Sequence, residues 1–222
     1  MEKKIPHISS QLRRHYVEMP QEVWSASGII IWGKRIKSLV FSTDLAIIRN
    51  CNADAVLSVY PFTPQQVIAD AIIAASYIPV FCGVGGGITG GARVIALAQD
   101  AEAEGAMGVV VNAPIPAEII RKMREVIDIP IVATVVNEST DVSARIDAGV
   151  SILNVSAAGR TPMVVDWIRK KHPDFPIIAT GGPTGETIRQ TISAGANAIS
   201  ITPPTINELF KQIMETYRDQ EW

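Results

Sequence analysis

Residues 177–205, IIATGGPTGETIRQTISAGANAISITPPT, decide the fold. Ile177 to Thr180 is a short apolar, β-branched run of the kind that fills a buried strand. Gly181-Gly182 follows as a turn whose backbone can approach a ligand with no Cβ in the way. Thr184 caps a helix that has Glu186 in its first turn, Gly195 stops that helix, and residues 198–202 begin the next strand. So compact a strand, helix and strand belong to a parallel sheet.

Upstream the same phrasing recurs. Apolar runs at 39–42, 55–60, 80–83, 108–112, 131–136, 152–156, 177–180 and 198–202 read as strands. Between several of them, residues 65–76, 92–104, 116–127 and 163–171 carry the one-sided apolar spacing of helices packed on a sheet. Ile78-Pro79, Ile129-Pro130 and Phe175-Pro176 introduce alternate strands, and Gly105, Gly149 and Gly195 introduce those between, so the repeating unit is a doubled βα pair. Eight strands joined by helices and short loops predict an α/β fold, a closed (βα)8 TIM barrel, with an open doubly wound sheet as the alternative. Ahead of it, residues 9–22 read as a short polar helix. Gly33-Lys34 reads as the turn of a hairpin that closes the barrel floor or meets another subunit. The expected organisation is a 1–37 extension packed on a 38–222 barrel, as one domain.

Composition narrows the function. The 222 residues are 47% apolar, with a mean hydropathy of +0.21, enough for a large core and for surface lost to like subunits, so a homo-oligomer is expected. A net charge of −2 gives no electrostatic reason to expect nucleic acid, and no apolar run reaches the roughly 20 residues of a membrane span. The charged start MEKKIPHISSQLRRHY lacks a secretory apolar core, and Cys51 and Cys82 are too few for a disulfide framework. The expected location is cytoplasmic.

In such barrels the chemistry lies just past the C-terminal ends of the strands. Asp44 and Glu138 fall there and form the candidate proton-moving pair, although either carboxylate also suits a helix start. Asn112 and Asn154, among apolar neighbours, are ligand hydrogen-bonders or mutual structural links. Gly159 and Arg160 offer a bend and a fixed cation for an anion, unless Arg160 is merely solvated. Gly85 and Gly86 belong to a glycine-rich loop, 83–91, that suits an anion nest, a lid or a plain tight turn. Thr202 closes the set after the last strand. His7, His15 and His172 lie away from the strand ends, which argues against a histidine base or a histidine-rich zinc site, and Cys82 has no histidine to activate it.

The segment ATGGPTGETIRQTISAGANAISI resembles the seventh-strand turn and eighth strand of the ribulose-phosphate-binding group of barrels. That resemblance implies a phosphate held by Gly181, Gly182 and the following helix N-terminus. One departure is Ile201-Thr202-Pro203-Pro204-Thr205 where the group usually places a glycine, and two prolines remove two N–H donors. The chain as a whole also resembles uncharacterised bacterial barrel proteins that carry a hydrolase label. Together these imply an enzyme of isomerase, lyase or hydrolase type acting on a small phosphorylated or carboxylated metabolite. Its anionic ligand is expected between Gly159-Arg160 and Gly181-Gly182, beneath the 83–91 loop. The alternatives are a metabolite-sensing barrel without catalysis, similar to glycerol-phosphate-responsive antiterminators, and a barrel that binds FMN. Magnesium held by Asp44 or Glu138 is the metal to consider.

Overall fold

The computed structural model describes residues 4–8, 10 and 17–218. A hairpin, β1 (Ile29–Ile31) and β2 (Lys34–Ile36), leads into β3 (Ser38–Phe41), α1 (Leu45–Arg49), β4 (Ala55–Ser58), α2 (Gln66–Ala75) and β5 (Val80–Gly85). Then come α3 (Ala92–Ala103), β6 (Gly108–Val111), α4 (Ala117–Arg124), β7 (Ile131–Val135) and α5 (Val142–Asp147). The chain ends with β8 (Ile152–Val155), α6 (Thr161–Lys171), β9 (Ile177–Thr180), α7 (Gly185–Ser193), β10 (Ala198–Ile201) and α8 (Ile206–Arg218). β3 to β10 pair in parallel in chain order and β10 pairs back onto β3, so the sheet is the expected closed TIM barrel rather than an open one.

The proline phrasing has a plain physical role. Pro79, Pro130 and Pro176 stand just ahead of β5, β7 and β9, where a missing N–H costs the ladder nothing. Their carbonyls still accept from Val56, Val109 and Leu153 at 2.8, 3.0 and 3.0 Å.

Inside the barrel the register decides which side chains share a level. Each strand is staggered by one residue against the next, so interior layers draw on alternate strands, as in barrels of this type. The floor holds Ala55, Gly108, Ile152 and Ala198, and above it lie Leu39, Phe81, Val132 and Ile178. The third layer, Leu57, Val110, Asn154 and Ser200, is half polar. Above that come Phe41, Gly83, Thr134 and Thr180, then Val59, Asn112, Ser156 and Thr202 at the rim.

Below the floor, Ile29, Ile31 and Ile36 of the hairpin join the same buried cluster as Leu39, Phe81 and Ile178, so the hairpin plugs the barrel floor. Its turn is Trp32-Gly33, one residue earlier than the Gly33-Lys34 that the sequence suggests. Both residues have positive φ, 47° and 80°, the signature of a tight hairpin turn whose twist matches its strands. The pairing Ile31↔Lys34 keeps Ile29, Ile31 and Ile36 inward, and a slip by one would turn them to solvent.

The helix expected over 9–22 is corrected in its described part. Residues 9 and 11–16 lie outside the described residues, Val17 bridges Cys51, and only Gln21–Ser25 coil, as a 3-10 turn after Pro20. At the other end α8 was not anticipated, although Thr205 and Glu208 form a capping box. The Glu208 carboxylate accepts from Thr205 N at 2.7 Å, and Glu208 N donates to Thr205 Oγ1 at 3.2 Å. No helix among the described residues is long and apolar enough to cross a membrane.

Ile36 is 1% exposed and Ile30, on the same hairpin, is 71% exposed. Ile36→Ala is expected to lower stability by about 2–5 kcal/mol and Ile30→Ala by less than about 0.5 kcal/mol, read from urea denaturation midpoints.

Candidate active site

Two connected hollows open at the C-terminal mouth. One, of about 450 Å³, lies between the ends of β4, β5, β6 and β7 and is lined by Phe62, Gly85, Thr89, Asn112 and Thr134 among others. The other, of about 590 Å³, runs from β3 and β4 to the segment after β10, with Phe41, Asp44, Thr202 and Pro203 in its wall. Val59, Tyr60, Pro61 and Asn112 belong to both, so the two form one continuous depression. A bulge between Gly83 and Gly85 interrupts the β5–β6 ladder beside it, a device that re-aims backbone next to a site.

The two oxygens of Asp44 differ in their surroundings. Its Oδ1 accepts from Ala46 N at 2.8 Å and Ile47 N at 3.2 Å, so it is the N-cap of α1. Its Oδ2 makes no hydrogen bond among the described residues, and Asp44 is the one carboxylate in the wall of the depression. Tyr60 stands nearby, with its hydroxyl oxygen accepting from Gln65 N at 2.8 Å.

Glu138 lies elsewhere. It follows β7, four strands around the barrel from β3, so it and Asp44 stand on opposite sides of the mouth and do not form the proton-sharing pair expected from their positions. Both Glu138 oxygens accept from Arg160 Nη2, at 2.7 and 2.6 Å. The two groups singled out separately therefore satisfy each other. The Glu138 carboxyl is held below its ordinary range, first by its own backbone N–H, with desolvation opposing and the Arg160 hydrogen bond and charge adding to it.

Two of the backbone donors expected to grip an anion are engaged. Gly181 N–H donates to Ser200 O at 3.1 Å, and Gly86 N–H donates to Thr89 O at 2.8 Å. The 83–91 loop is thus a tight turn at that point. Gly86 has φ +103°, and a Cβ there would come within 2.9 Å of Asn112 N, so only glycine fits. Neither Gly159, Arg160, Gly181 nor Gly182 lines the depression, which lies on the β3 to β7 side of the mouth. Thr202 does line it, and Gly85 and Asn112 do as well.

The Asn112 side chain makes no hydrogen bond among the described residues. Asn154 is a third-layer residue rather than a strand-end one. It is 7% exposed, its Nδ2 lies 3.5 Å from Thr134 Oγ1, and its Oδ1 is buried with no partner. The two asparagines do not bond each other.

Sequence reasoning missed two inward hydroxyls, Thr134 and Ser200, that only the register reveals. Arg145 was missed as well. It is 9% exposed, and its guanidinium donates to Thr134 O at 2.8 Å and to Ala113 O. Burial lowers its pKa, and no carboxylate opposes the effect. A guanidinium stays charged even so, which leaves a buried cation directly behind the wall of the depression. Cys82, also buried, faces away from the mouth toward Tyr60, Asp70 and α3, and burial followed by the Asp70 charge pushes its thiol up to about 12. Such a thiol is no nucleophile at neutral pH.

No family model matches the chain. Inosine-5'-monophosphate dehydrogenase of Chlorobaculum parvum (strain DSM 263 / NCIMB 8327) is 35% identical over 69 residues, 29% of this chain and 14% of that enzyme, so the likeness is to a short part of a much longer protein. Among solved structures, 2,3-dimethylmalate lyase, a PEP mutase/isocitrate lyase superfamily member, superposes with a TM-score of 0.61 at 14% identity over 90% of this chain and 86% of its own. Phosphonopyruvate hydrolase in complex with oxalate and Mg++ gives 0.61 at 12% identity over 85% and 83%. Phosphoenolpyruvate phosphomutase from Streptomyces platensis subsp. rosaceus gives 0.60 at 14% over 88% and 83%. At these identities the likeness is one of fold, a TIM barrel of the kind found in that superfamily. The magnesium of the hydrolase complex has no matching ligand set here, since among the described residues no three His, Cys, Asp or Glu side chains gather to hold a metal.

Because Glu138 has a folded pKa below its ordinary 4.5, the stability it adds is present above that value and is lost as pH falls through the lower folded one. The melting-temperature gap between wild type and Glu138→Gln is expected to be constant from pH 5 to 7 and to shrink below about pH 4.5 in a thermal scan series.

Proposed function

We propose that the chain is an enzyme of isomerase, lyase or hydrolase type that acts on a small carboxylated or phosphorylated metabolite in the mouth depression, with Asp44 as its general base or acid. The observation that carries this is the state of Asp44. Its Oδ1 is fixed by two backbone N–H groups, and its Oδ2 is left free on the wall of the depression. A proton-transfer group needs such a fixed carboxylate with one open lone-pair face. Support comes also from the company of the fold, since enzymes named as lyase, hydrolase and phosphomutase share it. That support is analogy, because one barrel hosts many chemistries.

The finer kinship with ribulose-phosphate-binding barrels rests on the 179–201 segment, whose Thr184 cap and Gly182 at φ +80° fit the resemblance. The engaged Gly181 N–H and Pro203-Pro204 weigh against a phosphate or FMN grip at that corner. A second reading, a metabolite sensor without turnover, is favoured by the Glu138–Arg160 pair, which leaves Asp44 without a second acid or base. Self-association fits the reading too. Phe210, Ile213, Met214 and Tyr217 form an exposed apolar stripe along α8 that a second copy of the chain would cover. Two buried free thiols suit a reducing, cytoplasmic setting.

Asp44→Asn separates enzyme from sensor cleanly. Asparagine caps a helix as well as aspartate does, so the melting temperature is expected to stay nearly unchanged. Turnover of a substrate found by screening phosphorylated and carboxylated metabolites should fall by about 100-fold or more. Unchanged turnover would remove Asp44 from the chemistry, and binding without any turnover in the wild type would leave the sensor.

A further inference from the structure

Four neutral hydrogen-bonding side chains occupy one half of the barrel interior, β7 to β10, a layer or two beneath the rim. Thr134 and Asn154 are register partners across β7 and β8, and Thr180 and Ser200 are partners across β9 and β10. The stagger puts Asn154 and Ser200 in the same layer, with Thr134 and Thr180 directly above. The facing side, Leu57, Val110, Phe41 and Gly83, is apolar. Burying Asn154 and Ser200 in the barrel core, with Thr134 and Thr180 half-buried above them, is unfavourable unless each buried group finds a partner.

Here they do not. Asn154 Oδ1 is fully buried and unpaired, and the Thr180 and Ser200 hydroxyls make no hydrogen bond among the described residues. The single contact within the group, Asn154 Nδ2 to Thr134 Oγ1, is 3.5 Å long, at the outer limit of a hydrogen bond. Exchanging the two ends of the Asn154 amide does not help. It would pair Oδ1 with the Thr134 hydroxyl and strand the amide NH2 instead.

We propose that the buried Asn154 and Ser200 layer of this polar half is the seat for a hydroxyl group of the ligand, which makes the ligand a hydroxylated small molecule, such as a hydroxy acid or a polyol phosphate. This inference rests on the mouth being the functional site and adds the ligand's deep-lying group. A hydroxyl both donates and accepts, so it satisfies Asn154 in either amide orientation and at the same time a Thr180 or Ser200 hydroxyl. A carboxylate or phosphate does not suit the same place. None of the four side chains is charged, and a bare anion would be desolvated there with no countercharge in the layer. Arg145 is held behind β7 by Thr134 O and Ala113 O, nearer the rim, so the anionic end of the ligand lies above the seat and the hydroxyl end within it.

Titration calorimetry with matched probes tests this. The pairs are malate and succinate, glycerate and propionate, and glycerol 3-phosphate and propyl phosphate, with glycerol alone as a neutral probe. In the wild type at least one hydroxylated member should bind about tenfold or more tightly than its deoxy partner. Asn154→Leu should bring that ratio close to one, leave the deoxy partner's affinity unchanged and hold or raise the melting temperature, because it removes an unpaired polar atom from an apolar layer. Ser200→Ala, a smaller change, should reduce the same ratio and guards against a folding defect in the first variant. Equal affinities within every pair, or a ratio that survives both substitutions, would overturn the seat while leaving an anion site at the mouth intact. Glycerol binding that needs Asn154, with no anion bound, would keep the seat and remove the anionic ligand. A lower melting temperature for Asn154→Leu together with unchanged ratios would make Asn154 structural and sink the proposal.

Discussion

Closure of the parallel sheet, with a one-residue stagger from each strand to the next, is the constraint on which the rest of this molecule depends. Once β10 pairs with β3, every barrel strand has a neighbour on both sides and no edge remains to be protected. The same stagger sorts interior side chains into layers, so a residue's depth is set by register and not by its place along its own strand. The lower layers can then be wholly apolar, sealed beneath by Ile29, Ile31 and Ile36, while the upper ones carry hydroxyls and amides. Within the barrel interior the apolar packing lies toward the floor, and the polar groups lie toward the mouth.

Arginine marks the same division of labour. At the floor, Arg169 donates to the carbonyls of Pro173, Phe175 and Gly195, and Arg124 donates to those of Ile127 and Ile129, so each pins the loop that leads into a proline-started strand. Both arise from the doubled βα unit, one following β6 and the other β8. Arg145 uses carbonyls in the same manner but at the opposite end, tying the β6–α4 loop to the end of β7. A guanidinium with its fork of donors suits this task better than an ammonium, since it can hold two carbonyls from different loops at fixed angles. At the mouth its charge lies behind the wall of the depression.

The fold was legible because its signals are local. Proline before alternate strands, glycine after alternate helices, and Thr184 and Asp44 at helix starts are each readable within a few residues, and the structure has them where the pattern puts them. Legibility failed where one local signal competed with another. The Gly33-Lys34 turn lost to Trp32-Gly33 because burial of three isoleucines sets the register. The site was less legible for a different reason. Strand-end position identifies which residues lie near the mouth but not which of them meet, so Arg160 and Glu138 were separate candidates until their 2.6 Å contact joined them. Thr134, Thr180 and Ser200 carry no motif, and depth within a barrel is a property of all eight strands together. Arg145 gives no sign of its burial in a stretch reading DVSARIDAG.

Asp44 and Arg145 together polarise the mouth. Asp44 stands after β3 and Arg145 behind β7, on opposite sides of the ring, with the uncharged depression between them. The Glu138–Arg160 pair adds little to this field, because its two charges lie in contact and cancel at a distance. Arg145 has no carboxylate partner, so its charge is felt across the low-dielectric wall with little screening. Under the proposed function, a ligand with an anionic end and a neutral, hydroxylated end is oriented by this field, its anionic end drawn toward β6 and β7 and kept away from Asp44. A carboxylate can take a proton from a neutral carbon or hydroxyl only if it is not repelled from it, and placing the cation and the proposed base on opposite strands of the barrel meets that requirement with two residues that never touch.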